Sequence, residues 1–101
     1  MKKNKKSIVA KTSADLAEVL GLSAEDAVEI ELRNELNSKI IDVVKRRGLT
    51  HAAVAKMAGT SRTRVTALLN RNTYNISTSL MIRILAALGY ETRLSFSKLA
   101  A

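Results

Sequence analysis

A chain of 101 residues has room for one hydrophobic core, and with only 3% aromatic residues that core must come from Leu, Ile, Val and Ala. The absence of cysteine excludes a disulfide framework, a thiolate metal site and a cysteine nucleophile, and the absence of proline leaves helices unbroken. The net charge of +8 is uneven: residues 1–14 hold five lysines and no acid, the charged residues of 15–42 are predominantly acidic, and Val43 to Tyr90 contain no Asp or Glu.

The start, MKKNKKSIVAK, reads as a basic flexible tail over residues 1–12. The apolar run behind it, Ile8 to Ala10, is too short for a signal peptide. No stretch approaches the ~20 apolar residues of a membrane span, so a soluble cytoplasmic protein is expected. A helical domain should follow over 13–89, with its core in 36–89. Three junctions punctuate it, Gly21-Leu22-Ser23, Gly48-Leu49-Thr50 and Gly59-Thr60-Ser61. In each, glycine supplies the left-handed conformation that ends one helix, and a hydroxyl side chain caps the next. A further start at Ser77 or Thr78 and a stop at Gly89 complete the pattern.

These signals predict helices at 13–20, 24–47, 51–58, 62–70 and 78–88, with Asn34 and Asn37 as possible breaks in the second. Apolar residues recur at helical spacing: Leu32, Leu36, Ile40 and Val44 with Val43, then Val54, Ala55 and Ala58, then Val65, Leu68 and Leu69, then Met81, Ile84, Leu85 and Leu88. After Gly89 the period changes to two, which predicts a short strand within 90–101. A lone strand is unstable in water, so it should pair with a second copy across a dimer axis or with Ser7 to Lys11. The fold class is therefore all-α, with five helices and a short C-terminal β-strand.

The segment Leu49 to Arg71, LTHAAVAKMAGTSRTRVTALLNR, carries the functional signal. Gly59 lets two short helices meet steeply, with Ala55 at the crossing and Val54 and Val65 buried between them. A recognition helix enters the major groove by its N-terminal end, so Arg62, Thr63, Thr66 and Ala67 are the candidates for reading base edges. Arg62 suits the two acceptors of guanine, although a phosphate contact or a solvated side chain is the alternative. Thr50, His51, Ser61, Arg64, Asn70 and Arg71 lie where phosphate contacts form, beside helix N-termini and the turn. His51 could equally be a solvent-exposed first-turn residue. Lys45, Arg46 and Arg47 end a helix, where cations suit the dipole, so part of that cluster should be structural.

The segment resembles the Cro and phage-repressor-like family, often called XRE, through Thr50-His51, Val54-Ala55, Gly59, Thr60-Ser61 and Val65. The departure is His51, where that family usually has a phosphate-contacting glutamine. The resemblance covers about Leu36 to Gly89 and implies a lambda-repressor-like fold. The acidic lead-in, SRTRVTALLNRNT, ILAALGY and the terminal strand also look like the small members that include HigA-type antitoxins. That resemblance implies a homodimer that represses its own operon at a palindromic double-stranded operator, in the cytoplasm on the nucleoid. It also implies a small basic toxin as a possible partner for Asp15 to Asp42, although that stretch reads equally as a solvated helix face.

No nucleophile sits near the single histidine and no glycine-rich phosphate loop is present, so neither an enzyme nor a cofactor is expected. His51 lacks carboxylate partners within the basic stretch, so no metal is expected. RNA binding is disfavoured because there is no aromatic stacking surface.

Overall fold

The computed structural model describes residue 21 and residues 23–99. Its compact units are Met1–Glu35 and Leu36–Ala101. The described residues form four helices: α1 (Ala24–Arg47), α2 (His51–Ala58), α3 (Arg62–Leu69) and α4 (Thr78–Ala87). The predicted helix at 13–20 lies outside the described residues.

Ser23 opens α1 with a reciprocal cap. Its Oγ accepts from the Asp26 amide at 3.1 Å, while the Asp26 carboxylate accepts from the Ser23 hydroxyl at 2.9 Å. The helix then runs unbroken through Asn34 and Asn37, contrary to the break considered for them. Asn37 is instead buried at 3% exposure, and its amide donates to the Leu68 carbonyl at 2.9 Å. At Asn37 the helix continues because the side chain that would compete with its backbone has a partner elsewhere.

The core of the second unit comes from Leu36, Ile40, Val43 and Val44 of α1, Val54, Ala55 and Ala58 of α2, Val65 and Leu68 of α3, and Met81, Ile84 and Leu85 of α4, with Ile76 and Leu88. Burying each of the larger side chains contributes about 1.5–3 kcal/mol. Leu69, expected in the core, is only partly buried and lines a surface recess. Val65 and Leu68 fall three apart and already fill the inner face of this short helix, which leaves Leu69 at its margin.

Each helix from α1 to α4 ends in the same device. A residue at the cap or just past it takes a positive φ, and two amides reach back to carbonyls of the last turn. After α2, for example, the Gly59 and Thr60 amides donate to Lys56 and Ala55 at 3.4 and 3.0 Å. Glycine fills this position after α1, α2 and α4. After α3 it is Arg71, at φ 60°.

No strand forms in residues 90–99. The alternation is present, but a strand exists only as part of a ladder, and the described residues of one chain supply no second strand. Tyr90 instead lies against α1, with Lys39 Nζ 4.7 Å from its ring centre and Arg46 donating to its hydroxyl at 3.4 Å.

Candidate nucleic-acid interface

The two helices of the motif, α2 and α3, pack on one another, and α2 packs on α4 as well. The turn between them depends on Gly59, whose φ of 68° a side-chain-bearing residue adopts only at a cost. Each helix is capped by a hydroxyl. Thr50 Oγ1 accepts from the Ala53 amide and Ser61 Oγ from the Arg64 amide, both at 3.1 Å. Because each oxygen serves as acceptor, each hydroxyl proton is left for an outside acceptor such as a phosphate oxygen.

The first turn of α3 presents Arg62, Thr63 and Arg64, all exposed. Among the described residues no hydrogen bond or ion pair holds either guanidinium. Asp42, which pairs with Lys39 and Arg46, and Glu91, which pairs with Arg93, stand on neither α2 nor α3. Thr66 and Ala67, one turn on, are partly buried. Ala67 lines a recess of about 250 Å3 together with Thr63, Arg64, Asn72, Tyr74, Asn75 and Ile76.

His51 is half-buried, and its Nδ1 lies 2.7 Å from Thr66 Oγ1. A residue expected at phosphate and one expected at a base are thus bonded to each other. His51 also lines a wide, open recess with Lys45 of α1 and Arg71. Asn70 caps the C-terminus of α3, and the Arg71 guanidinium donates to Ser38 of α1 at 3.4 Å.

Two of the cations that end α1 are engaged within the fold. Arg46 forms an ion pair with Asp42 at 3.0 Å, and Arg47 donates to the Leu88 carbonyl at 2.7 Å, satisfying a helix-end acceptor. The Arg46 guanidinium, chiefly by its hydrogen bond, holds the Asp42 carboxyl below its ordinary range, and it lowers the Tyr90 hydroxyl in the same way.

Sequence reasoning missed Asn37, Asn72, Tyr74 and Asn75. Asn37 had a signal, since it stands three residues before Ile40 and seven before Val44, on the apolar stripe itself. The loop residues had none, because only the folded chain brings them beside Thr63 and Ala67.

Two short capped helices joined by a glycine turn, the second carrying cations on its exposed first turn, define a helix-turn-helix protein. A helix-turn-helix domain family model matches residues 16–97, and the chain belongs to that family. Membership points to a DNA-binding regulator. Comparison with curated proteins and with solved structures gives no match. Among the described residues no helix is long and apolar enough to cross a membrane.

Proposed function

We propose that the protein is a sequence-specific transcriptional regulator of the Cro and phage-repressor-like kind. It would act as a homodimer on a palindromic operator of its own operon, in the cytoplasm on the nucleoid. The observation that carries this reading is the exposed first turn of α3, where Arg62 and Arg64 have no carboxylate partner among the described residues and the hydroxyl caps of α2 and α3 flank the turn. Arg62, Thr63, Thr66 and Ala67 read bases. Thr50, His51, Ser61, Arg64, Asn70 and Arg71 meet phosphates, where fixed positive charge releases condensed counterions.

The test is fluorescence anisotropy against a duplex from the gene's own upstream region and a scrambled duplex, at low and near-physiological salt. A preference of about a thousandfold or more that survives the higher salt is expected. Equal binding that collapses with salt would leave phosphate attraction alone. Arg62→Ala should cost about 1–3 kcal/mol against the preferred duplex and far less against the scrambled one. Equal losses on both would remove Arg62 from base readout.

A second reading, an antitoxin whose main task is to bind a basic toxin, draws on the first half of α1. Glu25, Asp26, Glu29, Glu31 and Glu35 are all exposed there. A small basic protein encoded beside this gene and copurifying with the chain would favour it. Loss of that copurification on charge reversal at Glu29 and Glu31 would locate the surface.

A further inference from the structure

The 2.7 Å contact between His51 Nδ1 and Thr66 Oγ1 joins the first residue of α2 to the second turn of α3, and its direction depends on where the imidazole holds its protons. When the ring is neutral with its proton on Nε2, Nδ1 accepts, and the Thr66 hydroxyl must give it its only proton. Thr66 then turns nothing but lone pairs outward. When the ring is an imidazolium, Nδ1 donates, and the Thr66 proton is released for another acceptor.

We propose that His51 is a positioning residue for base readout: its protonation state decides whether Thr66 offers DNA an acceptor or a donor, which makes base preference opposite Thr66 depend on pH. The inference rests on the DNA-reading function proposed above. DNA itself selects between the neutral tautomers, because an Nε2 proton can be given to a phosphate oxygen, whereas the other tautomer would present that anion with a lone pair.

The charged residues around His51 are of one sign. Lys45 from α1 and Arg71 from the turn after α3 line the same recess. Lys56 is the charged residue of α2, and Arg62 and Arg64 are those of α3. All are cations, and no carboxylate occurs between Val43 and Tyr90. Histidine is the side chain whose charge ordinarily changes between about pH 5 and 8.

The base edges translate the switch into sequence. A Thr66 donor suits guanine N7 or O6, thymine O4 and adenine N7, and a Thr66 acceptor suits the amino groups of cytosine and adenine. Acid should move preference toward guanine and thymine and alkali toward cytosine, with adenine served in either state.

The test is selection from a random duplex library by the full chain at about pH 5.5 and about pH 8, at one ionic strength, followed by titration of the selected duplexes. The wild-type consensus should differ between the two conditions at one base pair per half-site, with preference there shifting roughly tenfold. His51→Gln, which can keep a hydrogen bond to Thr66 but does not titrate, should select one consensus at both. Thr66→Val, which removes the hydroxyl and keeps the shape, should lose preference at that pair alone. An unchanged wild-type consensus with uniformly tighter binding in acid would overturn the proposal, because added charge strengthens all sequences alike. A shift that persists in His51→Gln would also overturn it. No consensus at either pH would instead remove the base-reading function beneath it.

Discussion

Asn37 and Arg71 both hold the C-terminal end of α3, and neither role follows from residue type. Asn37 donates to the Leu68 carbonyl, which also accepts from the Arg71 amide at 3.0 Å. Asn37→Ala therefore leaves that carbonyl with a partner, and the loss should be about 1–2 kcal/mol. Asn37→Asp should lose more, because it buries an unpaired carboxylate against a carbonyl oxygen. Urea unfolding of both variants checks the order, and a smaller loss for Asp would refute the assigned contact. Arg71 holds a left-handed φ of 60° that glycine would adopt freely. Arg71→Gly should raise stability by about 1 kcal/mol while weakening binding to all duplexes alike. A rise in both quantities would clear Arg71 of any phosphate contact.

At the scale of elements, helix placement was legible because each boundary is written in local chemistry. The predicted spans 24–47 and 51–58 match α1 and α2, and the two later helices end one residue earlier than expected. The strand was not legible, since its existence depends on a partner that alternation cannot supply. The second half of α1 yields a prediction in acid. Arg46, by its hydrogen bond, lowers the folded-state value of Asp42 below its unfolded value of about 4. The resulting stabilisation is complete above that unfolded value and is lost as pH falls through the depressed folded one. Asp42→Asn should unfold at lower temperature than wild type at neutral pH, and the two melting curves should converge in strong acid. A gap that stays constant with pH would assign the difference to packing.

For the whole molecule, Leu94 and Phe96 are 68% and 91% exposed in a segment whose backbone has no ladder. If a second copy covers them, deleting residues 92–101 should convert a dimer into a monomer in sedimentation while α1 to α4 keep their melting transition. Tyr90 stays in place in that variant. A dimer that persists would move the interface elsewhere. By itself the sequence determined the helix-turn-helix, its caps, its glycine turn and the acid-free stretch around it, because capping, φ preference and charge are properties of single residues and their near neighbours. Only the tertiary structure decided that His51 meets Thr66, that Asn37 holds Leu68, that Arg46 and Arg47 reach Tyr90 and Leu88, and that Tyr74 lies beside α3. Each of those pairings joins residues distant in the chain, and which distant groups meet is set by how helices pack, a quantity that no local pattern encodes.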